Sequence, residues 1–290
     1  MCNALCLGCQ RVDPNTFNSV LPSIPKKEII AVDIIRKLIN SPTMSGIEEV
    51  EFCGTIDEPL MHPNFMEIID VMYEANPLME IKIHTNASLR TPQFWKDLAH
   101  KLSKFKRHKV LFGIDGLVDT HVIYRQQTDF DLIIRNAMHF IRAGGNAQWQ
   151  YIIFPWNKHQ VDEARDMSKQ IGFAEFKTRN DRSGVSEEGL SIIREIQQYG
   201  GKPKLGVNAN KFNGYKISCM NKEDDMFHVS YDSRLWPCCY FGNVQYMSPT
   251  LYDEFKKRIF DVYGEDFNLL TKHTVEEILD SELYKNDLVE

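Results

Sequence analysis

From residue 25 to about residue 180 the chain alternates between helical and extended patterns at a regular spacing, and this limits its fold more than any other feature. Glu28 to Ile39 (EIIAVDIIRKLI) repeats apolar residues as a helix does, and Ile47 to Phe52 alternates as a strand does. Asn64 to Tyr73 is helical again, and Glu80 to His84 is extended. Pro92 to Phe105 reads as a helix with Thr91 as its N-cap and proline at the first helical position. A strand over Lys109 to Ile114, a helix over Phe130 to Ala143 and a strand over Trp149 to Phe154 follow. The run closes with a helix over Val161 to Ile171, ended by Gly172, and a short strand over Ala174 to Thr178. Strands and helices in this order build right-handed βαβ units and a parallel sheet, either in a (β/α) barrel or in an open doubly wound form. No G-x-G-x-x-G follows a strand, so the dinucleotide-binding version has no support.

After Asn180 the alternation stops. Residues 181–214 are polar and glycine-rich and read as a linker or cover. Met226 to Tyr240 reads as a hairpin, FHVSY and LWPCCYF around a turn at Asp232-Ser233, and residues 251–285 as one or two short amphipathic helices. The organisation expected is a main domain over 1–180, the linker, and a C-terminal extension over 215–290. A chain of 290 residues, 43% hydrophobic, can bury a large core. Its net charge of −6 argues against general nucleic-acid binding. No apolar run is long enough for a membrane span, and the first residues show no signal-peptide pattern, so a cytoplasmic, membrane-free protein is expected.

Seven cysteines fall at 2, 6 and 9, at 53, and at 219, 238 and 239. A chain this large has no need of a disulfide framework, and clustered thiols in a reducing compartment point to metal or catalytic chemistry. Cys53, inside the run Val50-Glu51-Phe52-Cys53, reads as a small core residue. Cys2, Cys6 and Cys9 form C-x3-C-x2-C, close enough to converge on an iron–sulfur cube. Three ligands leave one iron of a four-iron cube open for chemistry. A structural zinc site is the alternative, but it wants a fourth ligand that this loop does not contain.

Further motifs accompany the cysteines. Phe52-Cys-Gly-Thr-Ile-Asp-Glu-Pro-Leu-Met-His-Pro63 follows one strand, Thr85-Asn86-Ala87 the next, and Gly113-Ile-Asp-Gly116 the third, with Tyr124-Arg125 beyond. Together, over residues 2 to about 180, they resemble the radical S-adenosylmethionine (radical SAM) enzymes. The resemblance implies an incomplete (β/α)6, TIM-like barrel whose first strand is missing here. It implies a [4Fe–4S] cluster on Cys2, Cys6 and Cys9, with S-adenosylmethionine on the open iron. Thr55, Asp57 and Glu58 would hold its amino group and Arg125 its carboxylate, a contact that suits a guanidinium fork. Asn86 would lie beside the cofactor, and Asp115 would set the strand end or reach the ribose. Asp57 stands where the family usually has glycine, Ala87 likewise, and Gly113 where it has serine. The implied chemistry is reductive cleavage to a 5′-deoxyadenosyl radical that takes hydrogen from a peptide or small molecule, with a flavodoxin or ferredoxin as electron donor. A dry barrel interior lined by Phe112, Tyr151 and Ile153 would suit it.

In the tail, Ser233-Arg-Leu-Trp-Pro-Cys-Cys239 resembles the SPASM or twitch extension of the peptide-modifying branch. That implies an auxiliary iron–sulfur cluster on Cys219, Cys238 and Cys239, with either Cys238 or Cys239 as the ligand. It also implies that the chain is a piece of a longer protein, cut at both ends. A metabolite- or cofactor-building radical enzyme without an auxiliary cluster, and a zinc-stabilised binding module, are the other readings.

Overall fold

The computed structural model describes residues 1–287 except 14, 15, 17, 25–28, 55, 182–225 and 248. Among the described residues, nine short strands run in chain order: β1 (Leu5–Cys6), β2 (Glu49–Phe52), β3 (Glu80–Thr85), β4 (Arg107–Gly113), β5 (Arg125–Gln126), β6 (Ala147–Ile153), β7 (Glu175–Asn180), β8 (His228–Val229) and β9 (Leu235–Trp236). Between them lie α1 (Val32–Ile39), α2 (Phe65–Ala75), α3 (Pro92–Leu102), α4 (His121–Tyr124), α5 (Phe130–Arg142) and α6 (Val161–Ile171). The predicted caps form: the Thr91 hydroxyl accepts from the Phe94 N–H, and Gly172 ends α6 at φ 100°.

β2, β3, β4, β6 and β7 form one parallel sheet in sequential order. A doubly wound sheet would reverse its order at a switch point. Sequential right-handed crossovers instead put every helix on one side, as in a barrel segment. The five strands are those the periodicity predicts, with ends shifted by no more than two residues.

Side chains alternate between the two faces of this sheet. Ile81, Ile83, Val110, Phe112, Trp149 and Tyr151 face the helices and fill the main core with Trp95, Leu98 and Phe140. Phe112 packs against Trp95 (centroids 5.4 Å apart), Phe140 (5.9 Å) and Phe173 (5.7 Å). This corrects the expectation that Phe112, Tyr151 and Ile153 line the barrel interior. The helix layer needs the apolar face, and strand parity leaves Leu111, Gly113, Gln148, Gln150 and Ile152 for the inner one.

The tail hairpin forms with Ser233 at φ 64° in its turn, but β9 stops at Trp236. Pro237 has no N–H for a ladder, and the chain turns into a helix over Cys239–Met247. The expected second arm through Pro237, Cys238 and Cys239 is therefore not a strand. Leu235, Leu270, Val275 and Ile278 bury against Ile34 of α1 and Met44, so the tail shares a core with the first helix. The predicted linker over 181–214 falls, but for its first residue, outside the described residues, as does Cys219.

Candidate cofactor site at the strand ends

The cysteine loop is held by a two-stranded ladder. β1 pairs antiparallel with β5, which sets Cys6 opposite Arg125, and the Leu7 N–H donates to the Tyr124 carbonyl at 3.0 Å. A turn follows, with the Cys9 N–H on the Cys6 carbonyl at 3.1 Å. Leu5, Leu7 and Val12 anchor the loop by packing on Ile123, Tyr124 and Trp156. Buried Arg11 ties it internally by donating to the Ala4 carbonyl. The three thiols are half-buried and within electrostatic reach of one another. Burial pushes the Cys6 thiol up to about 12 and raises Cys2 as well, so without an electrophile these sulfurs hold their protons. No three His, Cys, Asp or Glu groups among the described residues converge to hold one metal ion. A cube binds its cysteines through separate irons and does not need such convergence. Three thiols in one loop, a cation beside Cys6 and an amide N–H on Cys2 (the Asn86 Nδ2, 3.7 Å from its sulfur) suit an anionic cluster.

Glu58 forms the second part. It lies buried after β2, and its carboxylate accepts from the N–H groups of Asn86 (2.8 Å) and Leu60 (3.3 Å) and from the Thr85 hydroxyl. Burial outweighs these bonds and lifts its pKa to about 7. Asn86 also donates to the Asn3 side chain at 2.9 Å, and Asn3 donates to the Ser88 carbonyl at 2.9 Å, joining the end of β3 to the cysteine loop. Ala87 stands where the family's motif has glycine and takes φ 54°. In the loop before Glu58 the close backbone approach is at Gly54, where a Cβ would sit 1.8 Å from the Asp57 carbonyl oxygen. Asp57 itself has no positive φ.

The third part centres on Asp115, fully buried at the end of β4. One oxygen accepts from the Ile152 N–H (2.6 Å) and the other from Arg125 Nε (2.6 Å). Burial alone would favour the neutral guanidine, but Asp115, Cys6 and Tyr124 together outweigh it and keep Arg125 charged. The guanidinium lies across Gly113, where a Cβ would meet Nη2 at 2.4 Å. A serine there would occupy the same space, so the glycine and this arginine position go together. Asp115 thus ties the end of β4 both to β6 and to Arg125.

His121, fully buried, accepts from the Asp115 N–H at Nδ1 (3.1 Å) and turns Nε2 to the Thr128 hydroxyl (3.1 Å). Thr128 donates in turn to the Arg125 carbonyl at 2.6 Å. Burial, then Arg125, hold its pKa down at about 3. An unfolded histidine binds its proton near about pH 6.5, so this group's stabilisation is complete above that pH and shrinks towards the folded value as the pH falls. The expected slope is about 1.4 kcal/mol per pH unit. The stability gap between wild type and His121→Gln, read from thermal unfolding, should therefore narrow between about pH 7.5 and about pH 5. A gap independent of pH would mean that the imidazole takes up its proton in the folded chain just as it does in the unfolded one.

Of the residues singled out in the sequence, Cys2, Cys6, Cys9, Glu58, Asn86, Asp115 and Arg125 meet in these linked networks. Thr55 lies outside the described residues. Cys53 is exposed and not in the core, because Glu49, Glu51 and Cys53 share the parity that faces away from the helices. Glu51 and Cys239 are among the titratable groups within electrostatic reach of it. Cys238 is buried and Cys239 half-buried. Pattern reading missed Arg11, His121 and Asn157, whose amide bridges the Asp115 and Ile152 carbonyls at 3.1 and 2.9 Å. A polar side chain soon after a strand (Pro155-Trp156-Asn157) was the only hint.

No protein-family model matches the chain. No curated protein matches it either. Solved structures do, at the level of fold. The chain is similar to anSMEcpe with bound AdoMet at TM-score 0.57 and 14% identity, over 98% of this chain and 79% of that one. It is similar to Streptococcus suis SuiB bound to S-adenosylmethionine at TM-score 0.55 and 14% identity, over 91% of this chain and 65% of that one. SuiB bound to precursor peptide SuiA matches at TM-score 0.56 and 14% identity, over 91% and 64%. The chain thus spans slightly under two thirds of SuiB.

Proposed function

We propose that this chain is a radical S-adenosylmethionine enzyme that acts on a peptide. The observation that carries this is the ladder setting Cys6 opposite Arg125, with Arg125 clamped by Asp115 over Gly113. A cysteine loop and an anion-binding guanidinium are thereby fixed together at the strand ends, where barrels place their chemistry. Cys2, Cys6 and Cys9 would hold a [4Fe–4S] cluster. When bound, that cluster and S-adenosylmethionine supply one-electron cleavage and a 5′-deoxyadenosyl radical able to take a hydrogen atom. Glu58 and the loop from Thr55 would take the amino group, and Arg125 the carboxylate. Asn86 donates to Cys2, and Asp115, His121 and Asn157 keep Arg125 and the end of β4 in place. A peptide substrate is favoured because SuiB, a structural neighbour, is seen with a precursor peptide. A flavodoxin- or ferredoxin-like donor in the cytoplasm would supply the electron. No helix among the described residues is long and apolar enough to cross a membrane.

The tail would hold an auxiliary cluster through Cys219 with Cys238 or Cys239, in the manner of a SPASM or twitch extension. Cys239 opens a helix, and Cys53 lies within electrostatic reach of it. Anaerobic reconstitution with iron and sulfide tests both proposals. One cube gives about four irons and about four sulfides per chain, and an auxiliary cluster gives clearly more. Substituting alanine at 219, 238 and 239 should return the count to about four. A count of about four that the triple change leaves alone would make the tail a plain cap. Zinc without sulfide would favour a zinc-stabilised module instead.

A further inference from the structure

The inner face of the sheet carries more hydrogen-bond donors than the fold uses, and they gather at the β6–β7 side of the cofactor site. Gln148 is 2% exposed, yet its Nε2 has no hydrogen-bond partner among the described residues, and the same holds for the buried Nε2 of Gln150. A buried amide left unpaired is unfavourable by about 1–3 kcal/mol, and such groups often mark a ligand's place. Both glutamines share the face of Gly113, since Trp149 and Tyr151 between and beyond them point into the helix-side core.

Register places this pair relative to the proposed chemistry. Gly113, under the Arg125 guanidinium, is the direct neighbour of Gln150, and Gln150 is the neighbour of Lys177. One step on, Ile152 neighbours Arg179, and Ile152 is the residue whose N–H binds Asp115. A row of donors thus runs from Arg125 across β6 to the edge strand β7.

The carboxylates of this face are already engaged. Glu49 pairs with Lys82, Glu51 with His84 at 2.8 Å, Glu80 with Arg107 at 3.5 Å, and Glu175 with Lys109 at 3.3 Å. Asp115 is held by Arg125. Neither Lys177 nor Arg179 makes a close ion pair among the described residues, though Glu51, already paired with His84, lies within electrostatic reach of Arg179. The part of the face nearest the site is therefore donor-rich and locally positive, in a chain whose net charge is −6.

We infer that the β6–β7 wall is a substrate subsite for an anionic, acceptor-rich group on a peptide, a carboxylate or a phosphate, bound by Gln148, Gln150, Lys177 and Arg179. The amides supply neutral donors close to the reacting end, and the two cations supply charge and steer the ligand from the open edge. The inference deepens the proposed function and rests on it only for where on the sheet the reaction occurs.

The test uses the full, reconstituted chain loaded with S-adenosylmethionine. Its probes are pools of capped pentapeptides with randomised flanks and a central glutamate, phosphoserine, glutamine or lysine. An anionic pool should bind at least about tenfold more tightly than the glutamine and lysine pools. Glutamate against phosphoserine decides between carboxylate and phosphate. The preference should vanish in the double variant Lys177→Gln, Arg179→Gln, and weaken in Gln150→Leu, which should also gain thermal stability because the unpaired amide is gone. Equal binding of all pools, or a preference that survives the double variant, would overturn the inference. Repeating the titration without S-adenosylmethionine separates the two proposals. An anionic preference in a chain that binds no S-adenosylmethionine would sink the radical-enzyme reading and leave the subsite standing.

Discussion

Cys6→Ala should cost the reconstituted protein about four irons per chain and the visible iron–sulfur absorbance that goes with them, while Cys53→Ala keeps the wild-type count. Cys6 sits in the middle of the C-x3-C-x2-C run, on the ladder that joins the loop to Arg125. Its loss removes one of three protein ligands, and a cube left with two is not retained. Cys53 serves as the control because it is an exposed thiol outside the C-x3-C-x2-C run. Iron and acid-labile sulfide analysis after anaerobic desalting reads both variants. Full iron in Cys6→Ala would remove the loop from the cluster assignment.

The second large effect is expected at Asp115. Asp115→Ala deletes the partner of a guanidinium whose side chain is 18% exposed and also strands the Ile152 N–H. Breaking a buried pair from one side is destabilising by about 3–5 kcal/mol, because the remaining charge stays unpaired. Denaturant unfolding should show that loss. Gly113→Ala tests the same clamp without removing a charge. Its Cβ would fall 2.4 Å from Arg125 Nη2, so the guanidinium must leave its place over β4 while Asp115 remains. Weaker S-adenosylmethionine binding, read by equilibrium binding, is expected there together with a loss of stability from the parted Arg125–Asp115 pair. A neutral Asp115→Ala would mean that Arg125 has another anionic partner.

Much of the architecture follows from local pattern. Apolar periodicity marked five strands and the helices between them, because each element buries one face against its neighbours in sequence. The caps at Thr91 and Gly172 were visible for the same local reason. What escaped is what parity and long-range contact decide. Gln148-Trp149-Gln150-Tyr151 alternates polar and aromatic, a two-faced strand, yet which face looked inward depended on where the helices packed. His121, Asn157 and Arg11 act through partners that only the folded chain brings near, and single polar residues in loops carry no periodic signal. Cys53 read as core because it follows an apolar run, but the edge position of β2 exposes its inner-face parity. Gly113 looked like a lost hydroxyl contact in the sequence. The fold shows a seat for Arg125.

One measurement bears on the central claim most directly. The reconstituted chain, reduced anaerobically with dithionite in the presence of S-adenosylmethionine, is assayed by chromatography and mass spectrometry for 5′-deoxyadenosine and methionine. The account predicts both products in equal amounts, formed slowly even without substrate, absent without reductant and absent in Cys6→Ala. A chain that carries the full complement of iron and sulfide, binds S-adenosylmethionine and still yields no 5′-deoxyadenosine under reduction would contradict it.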